Sequence, residues 1–437
     1  MKEMLGADYP RYEASFEKAP ARGLLVNTSK VDEAAFDALF PLHTRHIPYM
    51  NIGRQLLSEE KVGGDPLYAA GLYYMQDPGA MSSVAALPEI KGRVLDVAAA
   101  PGGKTIAAAL TAGQDAFIVA NEVNFSRAKI LLQNVERMGL TNVAVTSLPP
   151  RDFARYTPES FDMIIADLPC SGEGMFRKEP QAVAAWNENI NAMNAERQKE
   201  ILSDVLPALK KGGRLLYSTC TYSLKENEEI VEYLIEKYDM RLLPLREEVV
   251  AATAPGMSIR GLDLTNARRF YPFIEAGEGQ FFALLEKRGE RIYTTKRIPP
   301  KVSINEEKRV REFLSKNLDA DIPVINKQGE DYYAVHPLAR TLPLRYLSEG
   351  VRLGELSGGK FLPHHNLFTA YGDTFYNREE LDLDDPRVNE YLTGLEIDAK
   401  TAEEGYVAVR ANGHTLGGGK CVGGRIKNHY PKGLRIR

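Results

Sequence analysis

The pattern of apolar and polar positions in residues 88–290 alternates between short β-branched runs and segments of helical periodicity. Such alternation is typical of a parallel sheet whose strands are joined by crossover helices. The apolar runs predict buried strands at residues 93–97, 117–120, 163–166 and 214–218. We therefore expect an α/β core of the doubly wound type.

The segments between these strands are apolar on one side with a period near 3.6, which predicts amphipathic helices. The helix after the second strand should end at Gly139, and the helix before the last strand should be ended by Gly212-Gly213. Ser223 and Glu226 have the spacing of a capping box, and we expect them to open a further helix. The three apolar faces comprise Ile130, Leu131, Val135 and Met138; Ile201, Leu202, Val205, Leu206 and Leu209; and Ile230, Val231, Leu234 and Ile235.

The regions outside this core differ from it in pattern. Periodicity is lost near residues 287–303, where charge and proline gather, and this change is typical of a domain boundary. A helical segment follows at residues 306–316, and short strands separated by Gly and Pro come after it. The predicted parts are an N-terminal α/β region at 1–87, the core at 88–290, a linker with a small α/β region at 291–345, and a β-rich module at 346–437.

Composition narrows the class of protein. The 437 residues are 44% hydrophobic and 26% charged, as in soluble globular proteins, and no run predicts a membrane helix or signal peptide. The chain has only three cysteines, and this low number argues against a disulfide framework and favours a reducing cytoplasm. No Cys/His spacing resembles a metal site, so we expect no metal and interpret the adjacent His364 and His365 as surface residues.

A net charge of −4 neither predicts nor excludes a nucleic-acid partner, because such binding depends on local patches. Residues 401–437 form a basic segment in which glycines and Tyr430 interleave with the charges, against the acidic Glu403 and Glu404. A solvated chain end would explain the charge, but the interleaving favours an RNA-binding surface. The basic residues are Arg410, Lys420, Arg425, Lys427, Lys432, Arg435 and Arg437.

A glycine-rich turn, DVAAAPGGKT, lies directly after the first predicted strand of the core and before a helix. At this point of a doubly wound sheet, backbone amides and a helix N-terminus meet a ligand. The turn has neither the GxxxxGK[ST] pattern nor the GxGxxG pattern of other nucleotide-binding families. Glu122, at the end of the second strand, is placed to accept hydrogen bonds from ribose hydroxyls; a helix-start charge is the alternative.

Two cysteines follow the two later strands of the core. Cys170 lies in DLPCSGEG and Cys220 in STCTYS, and parallel strands deliver such loops to the same edge of the sheet. An isolated free cysteine is usually a small buried hydrophobe, but two of three at one ligand-binding edge favour thiol chemistry. The residues alone do not decide which cysteine is the nucleophile.

Taken in order, DVAAAPGGKT, DLPCSGEGMFRK and YSTCTYSLKENEE resemble the motifs of the bacterial RsmF-type 5-methylcytosine RNA methyltransferases, within the Nol1/Nop2/Sun family. The similarity covers nearly the whole chain, through MLGADYPRYEASF, YMQDPGAMSS, RFYPFIEAGEGQFFALL and GKCVGGRIKNHYPKGLR. It implies a Rossmann-like class I methyltransferase core, a C-terminal PUA-like RNA-binding module, and S-adenosylmethionine as the cofactor.

The chemistry of such enzymes explains the need for thiols. Carbon 5 of cytosine is a poor nucleophile until a thiolate adds to carbon 6 and converts the ring to an enamine. The resemblance implies that Cys220 attacks and that Cys170 assists proton removal or release of the product. Asp167 would stabilise ring protonation and contact the methionine end of the cofactor, and Lys104 could polarise the ring.

The resemblance also assigns the cofactor contacts. Glu122 would bind the ribose, and a run of backbone amides would contact the rest of the molecule. That run comprises Ala98, Ala99, Ala100, Pro101, Gly102, Gly103 and Lys104.

The sequence departs from the family pattern at several positions. Ala98 replaces a cysteine often found in the turn, and Leu168 replaces the usual alanine before Pro-Cys. Residues 147–150, Ser-Leu-Pro-Pro, stand where relatives commonly carry an aspartate for the adenine amine, so we expect a backbone-mediated contact there. Gly418 stands where relatives often have tryptophan, which predicts a weaker stacking surface.

The resemblance favours small-subunit (16S) ribosomal RNA as substrate, free or in the assembled 30S particle, with transfer RNA as the alternative. The target base must leave its stack to meet the cysteine. An RNA-binding assembly factor without catalysis would have lost Cys220, Asp167 or the glycine turn, and all three are present. A small-molecule or protein methyltransferase would have no evident use for two strand-end cysteines. We expect a cytoplasmic monomer with no membrane partner.

Overall fold

An antiparallel sheet forms the N-terminal part of the protein. The structure is a computed structural model that describes residues 1–58, 62–113, 115–178, 183–184, 186–290 and 298–436. The sheet has the order β2-β3-β1-β4. Its strands are β1 Arg22–Val26, β2 Thr44–Ile47, β3 Met50–Leu56 and β4 Tyr73–Met75, and the helices around it are Lys2–Leu5, Tyr9–Ser15, Glu33–Leu39 and Pro66–Ala69.

The central sheet is mixed and has the order β11-β12-β13-β9-β8-β5-β6-β7, with β10 paired to β13. The segment from β9 to β7 is parallel, and β13 joins it antiparallel. Its strands are β5 Gly92–Asp96, β6 Ala116–Asn121, β7 Val143–Thr146, β8 Phe161–Asp167, β9 Leu209–Thr219, β10 Met240–Leu242, β11 Ala254–Pro255, β12 Arg268–Phe270 and β13 Gln280–Lys287.

Helices accompany this sheet, because its parallel strands are apolar on both faces and need cover on both. They are Pro78–Ala85, Gly103–Thr111, Phe125–Met138, Pro150–Tyr156, Glu188–Val205, Glu228–Tyr238 and Glu247–Ala251. The predicted α/β core is therefore confirmed, and each predicted strand overlaps an observed one. Gly139 ends its helix in the left-handed conformation, as expected.

Several local predictions in the core are wrong; one concerns Leu209, which was predicted on a helix face and is the first residue of β9. Ile130 is 50% exposed and does not belong to its helix's buried face. The helix before β9 ends at Val205, and Gly212-Gly213 lie inside β9, where a Cβ on Gly213 would meet the Lys210 carbonyl oxygen at 2.8 Å. Gly213 therefore allows close backbone approach, Gly212 adopts a left-handed φ of 68°, and neither residue ends a helix.

Ser223 and Glu226 do not form a capping box. The helix begins only at Glu228, and the Glu226 side chain is buried and accepts hydrogen bonds from Ser171 instead. A capping box does form at Ser303 and Glu306, at the start of the helix Ile304–Asn317, which confirms the helix predicted at residues 306–316.

Two further sheets form the C-terminal part. The first sheet has the order β14-β15-β16-β17, and it spans the boundary predicted between residues 345 and 346. The second sheet has the order β18-β20-β21-β22-β19. Residues 291–297 of the predicted boundary lie outside the described residues. The strands are β14 Ile325–Gln328, β15 Asp331–Ala334, β16 Val351–Ser357, β17 Lys360–Pro363, β18 Arg378–Leu381, β19 Ile397–Asp398, β20 Gly405–Ala411, β21 His414–Val422 and β22 Arg425–Asn428, with helices His365–Tyr371 and Pro386–Thr393.

The histidine pair, predicted to be on the surface, is half-buried. His364 caps the helix His365–Tyr371 by accepting from the Asn366 amide at 3.2 Å, and burial lowers its pKa to about 4. Burial lowers the pKa of His365 to about 3, and its ring packs edge-on against Tyr430 at 5.2 Å. Both imidazoles are therefore neutral parts of the packing at ordinary pH.

The basic C-terminal segment is less exposed than its pattern indicates. Tyr430 is only 5% exposed and so offers no stacking face, and Arg410 is paired with Glu380 at 2.7 Å. A Cβ on Gly418 would lie 2.4 Å from the ring of Phe368, so a tryptophan has no space there. Arg437 lies outside the described residues. Across the described ranges, no helix combines the length and apolar character needed to span a bilayer.

Candidate active site

The carboxyl edge of the central sheet brings together two cysteine-bearing loops. Cys170 follows β8 and Cys220 follows β9, which pairs with β8 in parallel. The two Sγ atoms lie 3.3 Å apart, and both side chains are half-buried. The sequence predicted that both thiols share one edge; the structure adds that they are in direct contact.

Backbone and side-chain hydrogen bonds tie the two loops to each other. The Gly174 amide donates to the Cys220 carbonyl oxygen at 2.9 Å, and the Tyr222 amide donates to Glu173 Oε2 at 3.2 Å. At the base of the loops, the Leu168 amide donates to the Ser218 carbonyl oxygen at 3.1 Å. The distance between the thiols is thus set by both loops together.

The two thiols differ in their surroundings. The hydrogen bond with Cys220 and burial together raise the pKa of the Cys170 thiol well above its ordinary range. Cys170 is therefore a neutral thiol at ordinary pH, and its S–H can donate to a thiolate on Cys220.

Lys104 and Asp167 form an ion pair beside the cysteines. Lys104 Nζ lies 2.8 Å from Asp167 Oδ2, and Ser218 Oγ donates to Asp167 Oδ1 at 2.8 Å. Burial alone would lower the pKa of Lys104, but the Asp167 carboxylate, together with Cys220 and Asp96, outweighs burial, and the pKa is raised. The lysine is therefore a fixed cation, and the one-third-exposed carboxylate remains open to a ligand.

The glycine-rich turn leads from β5 into the helix Gly103–Thr111. Gly102 has φ 122°, and a Cβ on Gly103 would lie 2.9 Å from Gln76 Nε2, so neither position accepts a larger residue easily. The Ala99 amide donates to the Asn121 carbonyl oxygen at 2.7 Å, and Pro101 has no amide hydrogen. Contrary to the sequence-based prediction, these two residues cannot offer amides to a cofactor.

The polar groups around the turn fit S-adenosylmethionine. Glu122 is 2% exposed, and its Oε2 has no hydrogen-bond partner among the described residues, although Arg127 Nη1 approaches to 3.1 Å. The other oxygen, Oε1, accepts from the Asn124 amide at 2.8 Å. A buried carboxylate oxygen without a donor is suited to a ribose hydroxyl.

The predicted backbone contact to adenine is restricted by the structure. The Leu148 amide donates to Asn121 Oδ1 at 2.9 Å, and the Leu148 carbonyl accepts from Asn121 Nδ2 at 3.0 Å. Pro149 and Pro150 have no amide hydrogen. Within this segment, the Ser147 amide is the remaining backbone donor, and it suits a ring nitrogen of adenine, because the adenine amine is itself a donor.

Several residues that shape the site were not identified from sequence. Arg127 Nη2 and Asn134 Nδ2 hold the carbonyl oxygens of the turn, each at 2.9 Å. Glu226 was interpreted as a helix cap, and its true partner, Ser171, lies in the other cysteine loop. The sequence offers one indication of this role, the acidic run SLKENEE at residues 223–229. The run does not distinguish a buried Glu226 from a helix-capping one.

Family comparisons agree with this arrangement. Residues 84–286 match the family described as 16S rRNA methyltransferase RsmB/F, residues 1–78 match the N-terminal domain of 16S rRNA methyltransferase RsmF, and residues 378–436 match the methyltransferase RsmF PUA domain. A ribosomal RNA small subunit methyltransferase F from Aeromonas hydrophila is 32% identical, over 97% of this chain and 93% of the relative. The chain belongs to the RsmB/F family. A Klebsiella pneumoniae relative of the same description is 31% identical over 96% of this chain and 91% of its own.

Solved structures support the fold. A methyltransferase homologue from Pyrococcus horikoshii is 29% identical with a TM-score of 0.57, over 64% of this chain and 91% of that one. NSun6 from Pyrococcus horikoshii, solved with SFG, is 20% identical with a TM-score of 0.58, over 66% of this chain and 97% of that one, and shows the fold alone. The protein is an S-adenosylmethionine-dependent rRNA methyltransferase with a PUA-like domain. Among the described residues, no cluster of His, Cys, Asp or Glu could hold a metal ion.

Proposed function

We propose that this protein methylates carbon 5 of a cytosine in small-subunit ribosomal RNA through a covalent bond between Cys220 and carbon 6 of the base. The observation that carries the proposal is the contact of two thiols, 3.3 Å apart, at the carboxyl edge of the sheet. A single buried cysteine would be ordinary packing; a neutral thiol against a second thiol is an arrangement that can stabilise a thiolate.

The division of labour follows from the surroundings of each group. Cys220 is the nucleophile that adds to carbon 6, and Cys170 donates its S–H to the thiolate that leaves when the product is released. Asp167, held by Lys104 and Ser218, contacts the base edge and favours protonation of the ring during addition. The Lys104 cation polarises the same ring.

The turn and Glu122 would hold S-adenosylmethionine, which supplies an electrophilic methyl group when bound. Glu122 would bind the ribose, and Asp167 would contact the methionine end. The backbone amides that would contact the remainder are those of Ala98, Ala100, Gly102, Gly103 and Lys104. Arg127 and Asn134 hold the turn from behind by donating to its carbonyl oxygens. The Ser147 amide would meet the adenine.

The presence of an N-terminal domain and a PUA domain beside the catalytic core supports a large RNA substrate. We place the N-terminal support region at 1–87, the catalytic core at 88–290, a linker region at 291–345 and the RNA-binding module at 346–437; the last two share the sheet β14-β15-β16-β17. The substrate is then 16S RNA, free or in the 30S particle, bound by a monomer in the cytoplasm.

The test is Cys220→Ala, assayed with tritiated S-adenosylmethionine on 16S RNA and 30S particles from cells that lack the protein. Methyl transfer should disappear, while calorimetry should show cofactor binding unchanged. Cys421→Ala, which alters a buried thiol in β21, is the matched control and should remain active. Substantial turnover by Cys220→Ala would overturn the assignment.

A further inference from the structure

Glu226 lies beneath both cysteine loops. Its side chain is fully buried, Oε2 accepts from the Ser171 amide at 3.0 Å and from Gln198 Nε2 at 3.2 Å, and Oε1 accepts from Ser171 Oγ at 2.6 Å. All three donors are neutral groups. Burial raises the pKa of Glu226 to about 7, although the hydrogen bonds from Ser171 oppose that shift. Among the described residues, Glu226 has only neutral donors. Burying a carboxyl group without a charged partner costs folding free energy, so we infer a use beyond packing.

The hydrogen bonds continue from Glu226 to the second loop. Ser171 Oγ has one proton, which it donates to Glu226, so its contact with Thr221 Oγ1 at 2.7 Å makes Thr221 the donor there. Thr221 Oγ1 in turn accepts from the Ser223 amide at 3.2 Å. Ser171 and Thr221 are the residues that directly follow Cys170 and Cys220.

A further contact fixes the base of this network. Gln198 Nε2 also donates to the Pro169 carbonyl oxygen at 2.9 Å, and the Tyr217 hydroxyl is shared between Gln198 Oε1, at 2.9 Å, and the Glu226 carbonyl oxygen. The amide of Gln198 therefore holds Glu226 and the residue before Cys170 at once. A polar network whose members all have partners is rigid and defines one geometry.

The loops do not depend on Glu226 for their general path, because backbone bonds already join them. Leu168 is bonded to Ser218, and Gly174 is bonded to Cys220. Glu226 additionally fixes the position of Ser171 relative to Thr221, the two residues that follow the cysteines.

We propose that Glu226 is a positioning residue for product release, and that it holds the Cys170 thiol against Cys220 Sγ through Ser171 and Thr221. The inference rests on the proposed function. In release, a water molecule takes the proton from carbon 5, the C5–H electrons form the C5–C6 double bond, and the C6–S bond breaks with its electron pair on Cys220 Sγ. The hydrogen bond from Cys170 stabilises that thiolate, so displacement of Cys170 should slow this step more than the attack.

The experiment measures formation and decay of the protein–RNA adduct separately, by rapid quench and denaturing gels, with the full chain and 16S RNA. Glu226→Ala should form the adduct within about threefold of the wild-type rate but release it at least about tenfold more slowly, the effect of one lost charge-assisted hydrogen bond. Glu226→Gln, which keeps an acceptor for Ser171, should restore release. Glu236→Ala, an exposed change on the following helix, is the control and should behave as wild type.

A second variant keeps the inference testable if Glu226→Ala does not fold. Thr221→Val preserves shape and removes only the hydroxyl that joins the loops, and it should also accumulate adduct. The double variant Cys170→Ala/Glu226→Ala should release no more slowly than Cys170→Ala alone, because both changes act through one thiol.

The outcomes separate the two levels of proposal. If Cys170→Ala accumulates adduct but neither Glu226→Ala nor Thr221→Val does, the positioning role is wrong and the proposed function stands. Equal slowing of adduct formation and release would also refute the positioning role, because it indicates general damage to the loops. If no variant forms an adduct through Cys220 while the wild type methylates, the covalent mechanism itself is wrong.

Discussion

A buried ion pair anchors the loop that carries Cys220. The side chains of Arg269 and Glu228 are 1% and 0% exposed, and Arg269 Nε donates to Glu228 Oε1 at 2.7 Å, with a second bond from Nη2 to Oε2. Arg269 Nη1 also donates to the Tyr222 carbonyl oxygen at 3.0 Å, two residues after Cys220. The pair thus joins β12, the catalytic loop and the helix Glu228–Tyr238.

The perturbation is Arg269→Met, which fills much of the same volume but removes the charge. Glu228 would then keep the Met257 amide, at 3.0 Å, as a donor, and its carboxylate would remain buried without a counter-ion. Removing one partner of a buried pair costs about 3–5 kcal/mol. At about 1.4 kcal/mol per factor of ten, opening of the helix should become about a hundred- to several-thousand-fold more frequent.

Native-state hydrogen exchange, read by mass spectrometry on peptides from the helix Glu228–Tyr238, measures this local opening. The matched control is Arg241→Met, which breaks an ion pair with Glu286 of similar length, 2.8 Å, whose arginine is 57% exposed. That change should cost about 0–1 kcal/mol. We also expect Arg269→Met to slow adduct formation, because Tyr222 loses a donor. Exchange in the helix no faster than in Arg241→Met would refute the reasoning.

Two further predictions concern pH and packing. Burial raises the pKa of Asp96 to about 7, so the folded state holds the proton of this carboxyl group more tightly than the unfolded chain does. The protonated group therefore contributes to the free energy of unfolding fully below pH about 4, and this contribution is lost as pH rises through 7. The free energy of unfolding should fall by about 4 kcal/mol over this range. Asp96→Asn, which can still accept a hydrogen bond from Thr105, should reduce the fall in thermal unfolding temperature between pH 5 and pH 8. An unchanged fall would contradict this prediction. Gly418→Ala should destabilise the C-terminal module by about 1–3 kcal/mol in urea titrations, because its Cβ meets the Phe368 ring, whereas Gly433→Ala, in open space, should not.

Local pattern was sufficient for much of the fold. Apolar runs identified β5, β6, β8 and β9 of the parallel sheet but missed β7, Val143–Thr146. Gly139 ended its helix as predicted. These features were predictable because burial on both faces and a left-handed cap each depend on a few neighbouring residues. The motif order also indicated the family. The two cysteines could be assigned to one edge of the sheet because parallel strands deliver their loops to the same side.

The remaining features depend on partners that are distant in the chain. Gly212-Gly213 has the composition of a helix end, but it lies inside β9, where the register with β8 shifts between Leu209 and Arg214. Tyr430 has the pattern of a stacking surface, but His365 and Tyr391 cover it.

The sequence by itself determined the class of enzyme, four strands of the parallel sheet (β5, β6, β8 and β9) and the two thiols. Only the tertiary structure decided that those thiols touch, that the Ala99 amide is already used, and that Glu226 serves the loop of Ser171, 55 residues away. The physical reason is the range of each signal. Periodicity records which side of an element is buried, whereas a hydrogen-bond partner is selected only when separate elements pack against one another.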